Sequence, residues 1–187
     1  MPVTSTTVLP IESATYEAIA PFGELIGPDP RTEPTPSVFY EGTANYAFKE
    51  FSSDEDTALI MSRAQPRPMT VQYLERHFKH TQTFIPLGGK PFVMVLAPPT
   101  DGEIPDLDTV RAFSFDGSAG MCLKVGCWHE FPFVLRPDTD LISILRNETY
   151  RGVSQKSSVD GEAHGPDIDK KDIVARFGIR FDLAEAG

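Results

Sequence analysis

One stretch of the chain, Leu74–Lys90 (LERHFKHTQTFIPLGGK), constrains the fold and the chemistry most. Glu75 and His77 are two residues apart, so on a β-strand their side chains point to the same face. An apolar run follows them, and the glycine pair Gly88-Gly89 predicts a turn into a returning strand over residues 92–96. The stretch therefore predicts a β-hairpin that carries potential metal ligands on one face.

A second stretch of the chain carries a further potential metal ligand. Residues 117–133 (GSAGMCLKVGCWHEFPF) carry His129 just after a turn that contains glycine. Two histidines, one carboxylate and one amide from two hairpins form a metal-site hypothesis, with the ligands Glu75, His77, Gln82 and His129. Nitrogen and oxygen ligands of this kind suit a divalent Ni, Zn, Mn or Fe ion better than a soft metal. Glu75 and Gln82 have an alternative role as outer partners that orient a ligand.

The rest of the chain predicts a mostly β fold with a few short helices. Short apolar segments recur roughly every ten residues, which is typical of an antiparallel sandwich or barrel. The 17 prolines and 14 glycines suit the many tight turns that such a fold needs. Residues 13–19 begin with a capping serine and predict a short helix. The length of 187 residues predicts one domain over 1–187.

Charge and cysteine content bound the partners and the compartment. The net charge of −10 argues against nucleic acid, because no basic stripe is available to neutralise phosphates. No segment reads as a leader peptide or a membrane span, so we expect no membrane partner. Cys122 and Cys127 fit neither a zinc pair nor a disulfide framework, which favours a cytoplasmic location.

The two central stretches resemble the two motifs of the cupin superfamily. The first motif is matched in spacing by Glu75-x-His77, Gln82 and Gly89, and the second by residues 124–129 (KVGCWH). Several sequence segments, taken in their order along the chain, resemble the ureidoglycolate lyase family more specifically. The matching segments are SRAQP (62–66), LERHFKHTQTFIPLGGKPFVMVLAP (74–98), VRAF (110–113) and CWHEFPF (127–133).

This resemblance implies a cupin-type jelly-roll β-barrel, usually a homodimer. It places a family-like core at about residues 10–150 and a C-terminal extension at 151–187. The implied activity is the cleavage of (S)-ureidoglycolate to glyoxylate and urea in allantoin and purine breakdown, by a carbon–nitrogen lyase. The family is associated with a divalent metal, often nickel.

Cleavage of such a substrate needs a base for the carbinol proton, an acid for the urea nitrogen and a cation for the carboxylate. His77 and His129 are the candidate catalytic ligands, and Lys124 is a candidate proton-transfer group if it keeps the strand phase and points inward. Arg63, Gln65 and Arg111 are candidates for binding the small carboxylate substrate, because guanidinium pairs with carboxylate through two hydrogen bonds. Arg63 has a structural salt bridge as its alternative. His80 is out of phase with His77 and is expected at the surface.

Two other classes of function stay open. A cupin with this ligand set fits a lyase, isomerase or dioxygenase for a related α-hydroxy or glyoxylate-derived acid. It also fits a non-catalytic module that binds a small carboxylic acid. Lys124 and Glu130 depart from the family wording beside the proposed site, where many relatives read Trp-His-His, and this departure leaves a related substrate open.

Overall fold

The computed structural model describes residues 5–29, 31, 33–154 and 161–184. The predicted mostly β architecture with a few short helices is confirmed. The strands in these ranges are β1 (Ser5–Leu9), β2 (Ile11–Ser13), β3 (Gly23–Ile26), β4 (Thr35–Pro36), β5 (Asn45–Tyr46), β6 (Thr57–Ala64), β7 (Thr70–Val71), β8 (Tyr73–His77), β9 (Gln82–Pro86), β10 (Phe92–Ala97), β11 (Arg111–Phe115), β12 (Gly120–Leu123), β13 (Trp128–His129), β14 (Phe133–Val134), β15 (Thr139–Arg146), β16 (Ala163–His164), β17 (Ile168–Asp172) and β18 (Ile179–Leu183). The α-helices are α1 (Tyr16–Ile19), α2 (Asn147–Ser154) and α3 (Ile173–Phe177).

Three sheets build the body of the protein. The central sheet has the order β16-β17-β8-β13-β10-β11-β2, and β14 pairs with β10 beside it. The five-stranded sheet has the order β3-β12-β9-β15-β6, and the three-stranded sheet has the order β1-β18-β7. A separate two-stranded ribbon joins β4 and β5.

The sheets stack in three layers with an apolar core in each gap. The first core joins the central sheet to the five-stranded sheet, and Phe92, Phe113 and Met121 belong to it. The second core joins the opposite face of the central sheet to the three-stranded sheet, and Val95 and Phe181 belong to it. The central strand β10 is buried along its whole length for this reason. Such two-sided burial produces a continuous apolar run instead of an alternating pattern.

The predicted hairpin over residues 74–96 is wrong in its pairing. β8 lies in the central sheet, β9 pairs with β12 and β15 in the five-stranded sheet, and β10 returns to the central sheet. Gly88 and Gly89 do form the turn between β9 and β10, with φ of 70° and 65°. The turn carries the chain from one layer to the other, so β8 and β10 lie in the central sheet and β9 lies in the five-stranded sheet.

The helices are short and lie at the ends of the sheets. A short helix is found within the predicted residues 13–19, as α1, but the predicted capping Ser13 is wrong: Ser13 ends β2, and Thr15 is the N-cap. Residues 147–154 form α2, and residues 155–160 lie outside the described part of the chain. None of the described helices has the length and apolar character needed to cross a membrane.

Candidate functional site

The candidate site is built on two neighbouring strands of the central sheet. β8 and β13 pair in a register that sets Glu75 opposite His129, and the two-residue period of β8 puts His77 on the same face as Glu75. Glu75 Oε1 lies 3.6 Å from His129 Nε2 and 4.0 Å from His77 Nε2. The expectation that Glu75 and His77 share a face is met, and the structure brings His129 to them.

Burial and mutual charge set the protonation of these groups. Burial lowers the pKa of His77 to about 4, and the neighbouring His129 adds to this effect. Burial also lowers the pKa of His129. Burial acts to raise the pKa of Glu75, but the Lys170 ammonium and the two imidazoles outweigh it and keep the pKa below its ordinary value. At neutral pH the cluster therefore holds two neutral imidazoles and one carboxylate.

The atoms of this cluster fit a divalent cation. His129 Nδ1 lies 3.1 Å from the carbonyl oxygen of Cys127, and a carbonyl only accepts, so Nδ1 carries the proton and Nε2 has a free lone pair. The Nε2 atoms of His77 and His129 and Oε1 of Gln82 are buried without a hydrogen-bond partner among the described residues. Ligands about 2.1 Å from one cation lie roughly 3 to 3.5 Å from each other. The ligand atoms of Glu75, His77 and His129 all lie within 4.8 Å of one another, somewhat wider than that spacing.

Glu75, His77 and Gln82 open onto a pocket of about 220 Å³ between the central and five-stranded sheets. Its walls are mainly apolar, and Phe84 and Phe131 contribute rings that stand edge to face. Hydroxyl groups line the wall formed by β6, β15 and α2; they belong to Ser62, Ser143, Thr149 and Tyr150. A small polar molecule can enter here with metal ligands on one side and hydroxyls on the other.

Lys124 does not point into this pocket, so its expected inward orientation is not observed. Its side chain is exposed, and Nζ donates a hydrogen bond of 2.6 Å to the carbonyl of Ala20. Lys124 stands just after β12, in a tight turn closed by the hydrogen bond from Cys127 N to Lys124 O. The strand alternation that would have aimed it inward has already ended there.

The three candidates for substrate binding also lie away from the pocket. Arg63 is on the outward face of β6, where it pairs with Asp140 at 2.8 Å. Gln65 is exposed and donates from Nε2 to Asp138 Oδ1 at 2.7 Å. Arg111 is in β11 and donates from Nε to Glu12 Oε1 at 2.9 Å. For Arg63, the structure therefore supports the alternative role, a structural salt bridge.

The structure adds a buried dyad that the sequence reasoning missed. His80, expected at the surface, is 1% exposed, and its Nδ1 lies 2.9 Å from Asp167 Oδ2. The His80 ring stacks at a tilt beside His77, with 4.7 Å between centroids. Asp167 comes from the segment before β17, so sequence proximity offers no signal for this contact. His77, His80 and Asp167 form a second group with the spacing of metal ligands.

Two further charged residues stand at the edge of the candidate site. Lys170 Nζ lies 3.3 Å from Glu75 Oε2. Glu130 is buried and pairs with Arg67 at 3.4 Å, and burial raises its pKa although Arg67 opposes the shift. Glu130 departs from the sequence pattern of the family, whereas Lys170 lies in a polar strand with no apolar alternation to reveal which face it is on.

The family model and the relatives matched by sequence agree on one family. A family model described as Ureidoglycolate lyase matches residues 6–164. The chain is 36% identical over 148 residues to a ureidoglycolate lyase of Azotobacter vinelandii, covering 75% of this chain and 86% of that protein. It is 35% identical over 147 residues to a ureidoglycolate lyase of Pseudomonas fluorescens, covering 74% and 84%. A solved structure of RmlC from Streptococcus suis in complex with dTDP-D-xylose aligns with a TM-score of 0.31, 13% identity and 56% coverage of each chain.

Proposed function

The chain belongs to the ureidoglycolate lyase family, and we propose that it cleaves (S)-ureidoglycolate to glyoxylate and urea. The observation that carries this proposal is the cluster of Glu75, His77 and His129 beside a pocket that Glu75 and His77 line, in a chain that matches the family over residues 6–164. The family relatives are named as lyases, and the pocket has the size of a small polar acid.

We propose that Glu75, His77, Gln82 and His129 hold a divalent cation, with nickel favoured. The unpartnered Nε2 atoms and the unpartnered amide oxygen support this ligand set, because buried polar atoms normally have partners. The low pKa of His77 and His129 keeps their lone pairs available at neutral pH. A cation bound there would lower the pKa of the substrate hydroxyl and orient the hydroxyl and carboxylate oxygens.

The reaction itself moves one proton and breaks one bond. The carbinol O–H loses its proton, its electron pair forms the carbonyl of glyoxylate, the C–N bond breaks, and the urea nitrogen gains a proton. The hydroxyls of Ser62 and Ser143 face the metal-ligand wall and are placed to bind the urea group. Phe84 and Phe131 restrict water around the reacting carbon, which strengthens electrostatic interactions inside the pocket.

A homodimer and a cytoplasmic location are part of the same proposal. β6 is an edge strand of the five-stranded sheet, and its outward side chains Leu59 and Met61 are 70% and 66% exposed. An exposed apolar edge strand favours pairing with another chain, which supports the dimer. Cys122 and Cys127 are both free and buried, consistent with a reducing compartment. Size-exclusion chromatography with light-scattering detection measures the mass in solution and so tests the dimer directly.

The experiment for the activity is an assay of racemic ureidoglycolate in which glyoxylate, urea and ammonia are measured separately. We expect glyoxylate and urea in equal amounts from one enantiomer, without ammonia, and loss of turnover with a chelator. His77→Ala should reduce kcat/KM at least a hundredfold. His164→Ala is the matched control, because His164 is exposed on β16 and pairs with Glu162 and Asp169. Absence of turnover with every divalent metal would contradict the proposed substrate.

A further inference from the structure

Lys170 extends the candidate site beyond the part of the chain that matches the family, which ends at residue 164. β17 pairs antiparallel with β8 in a register that sets Lys170 opposite Glu75, and Glu75 is opposite His129 on β13. The three side chains therefore stand in one row across three neighbouring strands. Directly opposite residues share a face of the sheet, so Lys170 points toward the same side as the metal-ligand cluster.

The carboxylate of Glu75 is divided between its neighbours in this row. Oε1 faces the imidazole of His129, while Oε2 lies 3.3 Å from Lys170 Nζ. An ammonium group has three donors, and the ion pair with Glu75 uses one of them. The Lys170 side chain is 30% exposed, so part of it is in contact with solvent.

The other cations near the site are already committed. Arg63 pairs with Asp140 on the outward face of β6, and Arg111 pairs with Glu12 near the β2 edge of the central sheet. Lys124 donates to a backbone carbonyl outside the pocket. Arg67 donates to the carbonyl of Phe131 at 2.6 Å, and its guanidinium lies over an aromatic ring. In the described part of the chain, Lys170 is the lysine or arginine that pairs directly with Glu75.

We propose that Lys170 determines the specificity of the site for small carboxylic acids by binding the substrate carboxylate while it stays paired with Glu75. The inference rests on the proposed function, because it assigns the group that recognises the carboxylate of ureidoglycolate. It replaces Arg63 and Arg111 in that role. The ammonium ion bridges two carboxylates, one from the protein and one from the substrate, and charge-assisted hydrogen bonds hold both.

The test compares two unreactive probes by titration calorimetry: N-carbamoylglycine, which carries the carboxylate, and N-carbamoylglycinamide, which does not. The wild type should bind the acid more tightly than the amide. Lys170→Met should reduce this preference by about 10- to 100-fold, the range of a charge-assisted hydrogen bond. Measurement with a chelator removes any metal contribution, and the preference of Lys170→Met should then approach one. Lys170→Arg should restore part of the preference.

Steady-state kinetics give the second measurement. Lys170→Met should raise KM for ureidoglycolate at least tenfold and change kcat much less. Lys171→Met is the matched control, because Lys171 is next in the same strand, points to the other face and pairs with Asp169 at 2.8 Å. Its preference for the acid should equal that of the wild type, and melting temperatures of all variants monitor folding.

The outcomes separate the two proposals. Equal affinity of the wild type for acid and amide overturns the role of Lys170, and so does a Lys170→Met variant that keeps the full preference. If the wild type fails to cleave ureidoglycolate but Lys170→Met loses the preference for the acid, the proposed substrate falls and the role of Lys170 stands.

Discussion

Replacing Asp167 by asparagine should loosen the turn that places His77. Asp167 Oδ1 accepts hydrogen bonds from the backbone nitrogens of Phe78 at 3.1 Å and Lys79 at 2.7 Å. Oδ2 faces His80 Nδ1 at 2.9 Å and accepts from the hydroxyl of Thr149. One carboxylate from the C-terminal segment therefore fixes the chain just after the metal-ligand strand β8.

The magnitude follows from these four contacts. Asp167→Asn keeps the shape but turns charge-assisted hydrogen bonds into neutral ones, at a loss of about 1 kcal/mol each. Removing a buried charge offsets part of that sum. We therefore expect the free energy of unfolding at pH 7 to fall by about 2–4 kcal/mol. Thr149→Val removes one contact and should cost about 1 kcal/mol.

The effect should also depend on pH. Burial acts to raise the pKa of Asp167, but hydrogen bonds from His80 and Thr149 and the charge of His80 bring it below its ordinary value in the folded state. Its contribution is therefore complete above the unfolded pKa and is lost as the pH falls below about 4. The difference between wild type and Asp167→Asn should shrink by about 1 kcal/mol at pH 3.

Urea unfolding at pH 7 and pH 3 measures both effects, with unchanged m-values as evidence that only stability changed. Asp182→Asn is the control, because that carboxylate pairs with Arg180 on the surface of β18 and should contribute less than about 0.5 kcal/mol. An Asp167→Asn variant with wild-type stability at pH 7, or with the same difference at both pH values, would refute the reasoning.

Three further outcomes are expected. Gly117→Ala would place a Cβ 2.3 Å from the carbonyl carbon of Gly89 at φ 95°, so its urea midpoint should drop by the equivalent of about 3 kcal/mol; an unchanged midpoint contradicts this. Glu75→Gln should weaken divalent-cation binding at least tenfold in titration calorimetry, since it removes the anionic ligand; wild-type affinity would argue against Glu75 as a ligand. Protein freed of metal by a chelator should lose stability as the pH falls from about 6.5 towards 4. The folded state lowers the pKa of His77 to about 4, so over this range the unfolded chain binds a proton at His77 and the folded chain does not. His77→Gln should flatten the dependence of stability on pH.

The sequence predicted the half of the site that lies within one strand. Glu75 and His77 share a face because the side-chain period of a strand is two, and this needs no knowledge of pairing. His129 joined them in the prediction through the spacing of its motif. Its register opposite Glu75 depends on which strands pair, and the pairing is set by burial over the whole sheet.

The basic residues predicted for the site were misplaced mainly because the sequence did not show which face of the strand each side chain points to. The strand β6 reads TALIMSRA, with apolar side chains on both faces, because Leu59 and Met61 point outward while Ile60 points to the pocket. The pattern therefore could not show that Ser62 faces inward and Arg63 faces outward. The prediction for Lys124 was wrong for a different reason: β12 ends one residue before Lys124, and the following turn reorients its side chain.

The C-terminal segment could not be interpreted from the sequence because its contacts replace hydrophobic periodicity with charge. β17 has the sequence IDKKD, in which Ile168 is the one apolar residue. Its polar residues Asp169, Lys171 and Asp172 are nevertheless buried, in ion pairs and hydrogen bonds. A polar strand of this kind is stable only beside a partner that supplies opposite charges.

That partner is the strand β8 that carries the candidate metal ligands, and this connects the two parts of the chain. Asp167 holds the end of β8 from one side, while Lys170 pairs with Glu75 in its middle. The segment after residue 164 thus controls both the position of His77 and the charge around Glu75. Changes there should act on the site although they lie outside the family match. Asp167 variants should change stability first and Lys170 variants should change acid selectivity first, because Asp167 holds backbone nitrogens whereas Lys170 sets the charge beside Glu75.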